Sequence, residues 1–384
     1  MEAKNGFRCP VCGNSDPRYL GIRNGEIYCR KCISFIGAKA EVKEAEPSSA
    51  PVRLHYSLSQ EQKELSIEIQ RNFLKKIDTL VYAVCGAGKT ELSYGVIALA
   101  LRKGLRVGFA LPRRDVVIEL FWRLKDAFPE NKVVAVYGQH TFALTGGIII
   151  LTTHQLYRYP HYFDLLVMDE IDAFPFKGND VLISMYRASL RGSCVMMSAT
   201  PSDEIKKEFS KEGHAIVELR TRFHKKPIPV PKIITGIGAY LVFTIIKKLK
   251  EYEKKKKPCF VFVSSISRSE DLFHLISLSC RGGNYVNSKR KSRAKIIDDF
   301  KKGKYRYLIT TSVLERGVTI KDLQVIVYGA DHERIYNSST LIQIAGRVGR
   351  KADAPGGEVL FLSWKKTRSM ERAIKEIKFC NAFL

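Results

Sequence analysis

The fold is decided by the stretch Ala83-Val84-Cys85-Gly86-Ala87-Gly88-Lys89-Thr90 and, about eighty residues later, by Val167-Met168-Asp169-Glu170-Ile171-Asp172. The first stretch follows an apolar run that begins at Thr79, and the residues after it place apolar side chains on one helical face. A glycine-rich loop between a strand and a helix is the setting of a phosphate-binding loop. The second stretch also ends an apolar run, so its acidic residues lie at a strand tip, where open parallel sheets bind ligands.

Each residue of the glycine-rich loop has a chemical role in such a site. Gly86, Ala87 and Gly88 let backbone amides approach phosphate oxygens. Lys89 reaches the β- and γ-phosphates, and the Thr90 hydroxyl is a ligand for Mg²⁺. The alternative is a chance Gly-Lys-Thr turn, because short motifs also occur without function.

The acidic pair argues against a chance turn. Asp169 suits the Mg²⁺ coordination shell, and Glu170 suits the base that polarises an attacking water. Together with the glycine-rich loop, the pair predicts a site that binds and hydrolyses a nucleoside triphosphate.

The composition points to a polyanionic partner. The chain has 384 residues, of which 64 are Lys or Arg and 39 are Asp or Glu, and its formal net charge is +25. No stretch has the pattern of a basic amphipathic membrane helix, which favours nucleic acid over acidic lipid. Simple solubility is the alternative explanation of the charge. Neither a membrane-spanning run nor a signal peptide is apparent, so we expect a cytoplasmic protein, with peripheral attachment to a membrane partner left open.

Four of the nine cysteines lie in the first forty residues, in the strings Cys9-Pro10-Val11-Cys12 and Cys29-Arg30-Lys31-Cys32. Two such pairs, separated by sixteen residues, predict a structural Zn²⁺ site made of the thiolates of Cys9, Cys12, Cys29 and Cys32. The segment is too small to bury a core, so metal must supply its folding energy. A disulfide or redox pair is the alternative. The sequence leaves open whether the module grips nucleic acid, caps the structure or docks a protein.

The remaining sequence predicts two tandem α/β domains behind a small zinc ribbon or finger. The zinc module covers 1–40, a linker covers 41–57, and strand and helix patterns then alternate over 58–224 and 233–384, with a proline-containing linker at 225–232. Such alternation predicts parallel sheets covered by helices. The expected strands are 80–84, 106–110, 132–137, 148–151, 165–168 and 194–197 in the first domain, and 259–263, 307–310, 324–328 and 359–362 in the second.

A second cluster of catalytic candidates lies in the string Gln343-Ile344-Ala345-Gly346-Arg347-Val348-Gly349-Arg350. One continuous helix would place Gln343, Arg347 and Arg350 on the same face, at i, i+4 and i+7. Two arginines that face a γ-phosphate neutralise charge in phosphoryl transfer. A salt-bridged surface helix is the alternative, although no carboxylate lies nearby on that face.

These motifs, in this order, resemble those of the superfamily-two helicases and translocases over residues 58–362. The resemblance implies two RecA-like domains with ATP in the cleft between them. It also implies that Gln62 contacts the adenine base, and that the motif around Gly317 couples the state of the nucleotide to binding of the nucleic-acid strand. The acidic box Asp-Glu-Ile-Asp departs from the RNA-specific DEAD-box branch. Strand contacts are implied for the residues Pro112, Arg113, Arg114, Thr152, Thr153, His154, Ser264, Ser265, Thr310 and Thr311.

A closer resemblance covers the whole chain. The four-cysteine module, the string Asp169-Glu170-Ile171-Asp172-Ala173-Phe174-Pro175-Phe176, the string Thr152-Thr153-His154-Gln155-Leu156 and the string Leu314-Glu315-Arg316-Gly317-Val318-Thr319 resemble the ComFA family of late-competence proteins. That family implies a cytosolic ATPase that powers uptake of single-stranded DNA through a membrane channel. It also implies other competence proteins as partners and a peripheral place at the inner face of the cell membrane.

We therefore expect an ATP-dependent translocase on single-stranded DNA. A duplex-unwinding DNA or RNA helicase of replication restart or repair is the second hypothesis, because the same motifs serve both activities. A nucleic-acid scaffold with a decayed motor is the third. Lys89, Asp169, Glu170, Arg347 and Arg350 are all present, which argues against the scaffold.

Overall fold

The computed structural model describes residues 6–42, 46–54, 57–84, 86–172, 178–311, 319–351 and 353–384. The chain divides into two compact units, one of Met1–Ala83 with Gly88–Leu219 and the other of Val84–Ala87 with Arg220–Leu384. Each unit contains its own parallel sheet, which confirms the predicted α/β class. Within the described part of the chain, no helix combines the length and apolar character needed to cross a membrane.

The four-cysteine module contains a short antiparallel hairpin of β1 (Leu20–Arg23) and β2 (Glu26–Cys29). Asn24 and Gly25 form its two-residue turn, with φ of 51° and 80°. An Asn-Gly pair suits such a turn because both central positions need positive φ. The four cysteines and Leu20 are buried in one apolar cluster with core residues of the first sheet. The module is therefore packed onto the first unit.

The first unit is built on a seven-stranded sheet in which all neighbouring strands are parallel. Its interior strands are continuous buried apolar runs, as expected for a sheet covered on both faces. The strand order is β5-β6-β4-β7-β8-β3-β9. The strands are β3 (Asp78–Ala83), β4 (Val107–Leu111), β5 (Val133–Val136), β6 (Ile148–Thr152), β7 (Phe163–Asp169), β8 (Leu190–Ser198) and β9 (His214–Leu219).

Helices alternate with these strands, as the sequence pattern predicts. The first helix begins with a capping box in which Ser59 and Gln62 exchange hydrogen bonds, and it packs against the second helix. The helices of the first unit are α1 (Gln60–Leu74), α2 (Lys89–Arg102), α3 (Arg114–Ala127), α4 (Asp180–Ser189) and α5 (Asp203–Phe209), with a 3₁₀ helix at Thr153–Arg158.

The second unit has a six-stranded sheet, again parallel throughout, in the order β10-β15-β14-β11-β13-β12. Its apolar core lies between the sheet and its helices. The strands are β10 (Lys232–Thr235), β11 (Cys259–Phe262), β12 (Gly283–Val286), β13 (Tyr307–Thr310), β14 (Gln324–Tyr328) and β15 (Val359–Ser363). The helices are α6 (Gly238–Lys254), α7 (Ile266–Ser277), α8 (Arg293–Lys301), α9 (Ser338–Ala345) and α10 (Arg368–Asn381).

All ten expected strands are present, but the sequence pattern missed β9, β10 and β12. Each of these three strands lies at an edge of its sheet. Edge strands are partly exposed, so they lack the continuous apolar run that marks interior strands. The sequence pattern also missed β1 and β2 in the four-cysteine module, because polar or exposed residues interrupt their apolar character.

Candidate ATP site and four-cysteine module

The glycine-rich loop joins the end of β3 to the first residue of α2. Gly86 and Gly88 have φ of 85° and 79°, in the left-handed region where a side chain is strained. The Lys89 ammonium donates a hydrogen bond to the Ala83 carbonyl, with Nζ 3.1 Å from the oxygen. Lys89 and Thr90 are the first two residues of α2, directly after the loop. This is the arrangement that the sequence predicts for phosphate binding. The remaining loop residue, Cys85, lies outside the described residues.

Gln62, the predicted adenine contact, is almost fully buried, with 2% of its surface exposed. Its side-chain oxygen accepts a hydrogen bond from the Ser59 N–H, with the two atoms 2.9 Å apart. Its side-chain nitrogen would lie 2.6 Å from a Cβ placed on Gly88. The amide therefore packs against the last glycine of the loop, and a larger residue at position 88 would displace it. Its role in base recognition remains a prediction.

The acidic pair lies at the carboxyl end of β7. Asp169 is the last residue of the strand, and its Oδ1 accepts a hydrogen bond of 2.8 Å from the Glu170 N–H. Glu170 has φ of 58°, which is uncommon for a residue with a side chain and costs backbone energy. Backbone strain of this kind persists only where the surrounding structure enforces it, and it is concentrated at functional sites.

Asp172, the last residue of the acidic box, connects this strand end to the next one. Its two carboxylate oxygens accept hydrogen bonds of 2.8 Å from the hydroxyls of Ser198 and Thr200. Ser198 ends β8, the neighbour of β7 in the sheet. Ser198 and Thr200 lie 26 and 28 residues from Asp172 along the chain, so no local sequence signal marks this contact.

The expected continuous helix through the arginine string is wrong. Helix α9 ends at Ala345, Gly346 follows as its C-cap, and Arg347 and Arg350 lie in the turn beyond it. Gly349 in this turn has φ of 68°, which a helix does not allow. Helical periodicity therefore does not place Arg347 and Arg350 on one face with Gln343.

Within the second unit, Gln343 and Arg347 are buried, with 6% and 1% of their surfaces exposed. The Arg350 Nε donates to the Gly346 carbonyl over 3.1 Å. The roles of these three side chains in ATP hydrolysis remain predictions.

Sequence reasoning missed Arg222, which holds the arginine turn in place. Its guanidinium donates to the carbonyls of Gly346, Val348 and Gly349 at distances of 3.1, 2.9 and 2.8 Å. The His224 ring nitrogen Nε2 lies 3.0 Å from the same Gly349 carbonyl. Arg222 is 2% exposed. The residues it contacts are more than 120 positions away, so no local sequence signal marked it.

The predicted strand-contact residues all lie at or just after the carboxyl ends of strands. His154 is half-buried, and burial lowers the pKa of its imidazole, so the ring is neutral at neutral pH. Thr153 and Thr310 are fully buried. Gly317 lies outside the described residues. The sites are Pro112, Arg113 and Arg114 after β4, Thr152, Thr153 and His154 at the end of β6, Ser264 and Ser265 after β11, and Thr310 and Thr311 at the end of β13.

The sulfurs of Cys9, Cys12, Cys29 and Cys32 lie within 4.8 Å of one another and are buried. The Cys9 and Cys32 sulfurs are 3.4 Å apart, and those of Cys12 and Cys29 are 3.6 Å apart. Four thiolates at about 2.3 Å from a tetrahedral Zn²⁺ would be roughly 3.8 Å apart. The cluster therefore fits the sulfur set of a structural zinc ion.

The ionisation of these thiols also fits a cation. Burial raises the pKa of Cys12 to about 11 and raises that of Cys32 further. For Cys9 burial also opposes ionisation, but the N–H groups of Cys12 and Val11 hold its pKa below the usual value. A buried group of sulfurs of this kind needs a divalent cation to become four thiolates at neutral pH.

Comparisons with protein families agree with the site. The model of the DEAD/DEAH box helicases matches residues 63–208, and that of the helicase conserved C-terminal domain matches residues 242–352. The first range contains the glycine-rich loop and the acidic pair, and the second contains the arginine turn. The chain is therefore a nucleic-acid-dependent ATPase of the helicase type, which uses ATP and Mg²⁺ and binds nucleic acid.

Similar proteins define the family more narrowly. Competence protein ComFA of Bacillus subtilis (strain 168) is 35% identical over 98% of this chain and 86% of its own length. Competence protein ComFA of Streptococcus pneumoniae is 33% identical over 99% of this chain and 91% of its own length. The chain belongs to the ComFA family, as its motifs predict.

Among solved structures, a single-residue variant of S. cerevisiae Dbp5 bound to RNA and ADP BeF3 is similar, with a TM-score of 0.64 and 15% identity over 87% of this chain and 94% of that one. At this identity the likeness concerns the fold, and it confirms the expected RecA-like domains.

The four-cysteine site yields a first prediction. We expect Cys9→Ser to lose bound zinc and to lower the thermal stability of the first unit, because its sulfur cluster belongs to that unit's core. Metal analysis and thermal unfolding measure both effects. Cys380→Ser, at a buried thiol on α10, is the matched control and should keep its zinc. A Cys9→Ser protein that retained one equivalent of metal would contradict the four-thiolate site.

Arg222 yields a second prediction. Arg222→Gln should lower the rate of ATP hydrolysis at saturating ATP by roughly tenfold or more, because small misplacements of charge-stabilising groups are costly. Binding of ATP should change little. Arg220→Gln is the control, since the Arg220 guanidinium lies over the rings of Phe379 and Phe383. Unchanged turnover in Arg222→Gln would show that the turn does not need these hydrogen bonds.

Proposed function

We propose that the protein moves along single-stranded DNA with energy from ATP hydrolysis and drives DNA uptake in natural competence. The observation that carries the proposal is the combination of a hydrolysis site with polar residues at the strand ends of both sheets. Membership of the ComFA family supports the setting in competence. The net charge of +25 supports a polyanionic track.

In this proposal the residues of the first unit bind and activate the nucleotide. Lys89 and the loop amides bind the phosphates, and Thr90 and Asp169 hold Mg²⁺, which would neutralise developing charge on the phosphates. Glu170 accepts a proton from the attacking water. Asp172 keeps this strand end joined to Ser198 and Thr200, whose hydroxyls it binds.

The residues of the second unit complete the chemistry. Arg347 and Arg350 stabilise charge on the γ-phosphoryl group, and Gln343, near the end of α9, contributes to nucleotide binding. Arg222 fixes that turn through three backbone carbonyls. These groups act only when positioned, so their rigid support is as necessary as their charge.

The track is proposed to be a single strand bound mainly through its phosphates. Hydroxyls, arginines and helix N-termini at strand ends are suited to phosphate oxygens and carry no sequence information. The four cysteines are proposed to bind Zn²⁺. The protein is proposed to work in the cytoplasm, at the inner face of the cell membrane, with a DNA-uptake channel and other competence proteins as partners.

ATP hydrolysis at fixed low salt tests the track, measured with no polymer, single-stranded DNA, duplex DNA and single-stranded RNA. Strong stimulation by single-stranded DNA alone supports the proposal. Equal or greater stimulation by RNA favours an RNA helicase, and a flat low rate in all four favours a scaffold.

Movement needs its own measurement. Displacement of streptavidin from the biotinylated end of a single strand reports translocation, and displacement of an annealed strand reports unwinding. ATP-dependent release of streptavidin without unwinding supports a translocase. Efficient unwinding favours the alternative, a duplex-unwinding helicase of replication restart or repair.

The catalytic base yields a third prediction. Glu170→Gln should bind ATP normally and lose on the order of 10²- to 10⁴-fold in turnover, because the amide cannot accept the proton. Lys89→Ala should lose hydrolysis as well. Glu130→Gln, at an exposed carboxylate, is the matched control and should be unaffected. Normal turnover in Glu170→Gln would remove this residue from the catalytic role.

A further inference from the structure

The zinc module and a predicted strand-contact segment are packed against each other within the first unit. The segment is the 3₁₀ helix Thr153–Arg158, which directly follows β6 and begins with two of the predicted contact residues, Thr153 and His154. The module segment that faces it is Phe35 to Ala40. The apolar cluster that holds the four cysteines also contains Leu156 from this helix.

Arg158 is the main polar link between the two segments. It is 8% exposed, and its Nη1 donates to the Ala38 carbonyl over 2.7 Å. The Arg158 carbonyl accepts a hydrogen bond of 2.8 Å from the Ala40 N–H. A Cβ on Gly37 would lie 2.5 Å from the guanidinium, so the module backbone lies directly on it.

Arg158 also forms a hydrogen bond within its own helix. Its Nε donates to the Gln155 side-chain oxygen over 2.6 Å. Gln155 is itself buried, and its Nε2 reaches the Gly138 carbonyl at 3.4 Å. One guanidinium therefore fixes the module backbone, its own helix and, through Gln155, a neighbouring loop.

Aromatic residues form a second link. The Phe35 ring stacks on the His154 imidazole, with centroids 6.2 Å apart and planes inclined by 18°. The Tyr157 hydroxyl donates to the Ile36 carbonyl over 2.9 Å. His154, a predicted strand contact, thus has one ring face against a residue of the zinc module.

We propose that the four-cysteine module positions the helix Thr153–Arg158 for strand binding, with Arg158 as the positioning residue that connects them. Cys9, Cys12, Cys29 and Cys32 would hold the metal, which would act at a distance by stabilising the fold of the module. The Phe35–Ala40 side of the module would then fix the orientation of His154 and of the helix after β6. The proposal rests on the proposed function, because it assigns a strand to this helix.

A direct grip of the strand by the module is the competing idea. The module carries exposed cations, among them Arg30 and Lys31, that would serve such a grip. The two ideas differ in which arginine matters. Positioning needs the buried Arg158, whereas a direct grip needs the exposed Arg30.

The kinetic test compares Arg158→Gln with Arg30→Gln in the full-length protein. We expect Arg158→Gln to keep its zinc and its ATP hydrolysis without DNA, and to need roughly tenfold more single-stranded DNA for half-maximal stimulation. Its rate at saturating DNA should be close to normal. Arg30→Gln should change the half-saturating concentration less than twofold. The reverse ranking would overturn the proposal in favour of a direct grip.

A second measurement does not depend on DNA. Hydrogen exchange of the peptide that covers residues 148–162 should become faster in Arg158→Gln and in parent protein stripped of zinc by a chelator. Tyr157→Phe, which removes a single hydrogen bond, should give a smaller increase and covers the case in which Arg158→Gln folds poorly. Unchanged exchange after zinc removal would overturn the proposal. If DNA does not stimulate the parent protein, the proposed function fails, while the exchange result still decides whether the module positions this helix.

Discussion

The constraint on which the site depends is the common direction of the strands. In a parallel sheet every carboxyl end opens at the same edge, and ligand-binding loops collect there. In the first unit the order β7-β8-β3 places three such ends side by side. The acidic pair begins at the last residue of β7, Ser198 ends β8, and the glycine-rich loop follows β3. Because β7 and β8 are neighbours, the Asp172 carboxylate can accept hydrogen bonds from the hydroxyls of Ser198 and Thr200.

Features that depend on a few adjacent residues were predictable from the sequence. Glycines at positive φ, an acidic pair after an apolar run and two Cys-x-x-Cys pairs each have a local physical reason. Features that depend on distant contacts were not. Arg222 supports the arginine turn through three carbonyls that lie more than 120 residues later in the chain, so the sequence around it gives no sign of this role. The end of α9 at Ala345 was in principle predictable, because Gly346 and Gly349 are helix-ending residues, but periodicity alone suggested a continuous helix.

Two buried arginines of this molecule bind backbone carbonyls of distant segments. Arg222 binds three of them in the second unit, and Arg158 binds Ala38 in the first. Arginine suits this role because its planar fork donates several hydrogen bonds in fixed directions and remains charged when buried. Both arginines are almost fully buried. A lysine ammonium donates from a single nitrogen and lacks this planar fork, so it would not reproduce the same set of hydrogen bonds.

The burial of the strand-contact candidates also bears on how the strand would be held. Thr153 is fully buried, and the neutral His154 offers hydrogen bonds without charge. Arg113 and Arg114 are the cationic strand-contact candidates of the first unit, and Arg114 lies over the Tyr137 ring. Salt weakens nucleic-acid binding in proportion to the number of phosphates that cations neutralise. We therefore expect the affinity contributed by these residues to depend only weakly on salt, and to depend mainly on the orientation of their side chains. Orientation in turn depends on what lies behind His154, and that support is the four-cysteine module.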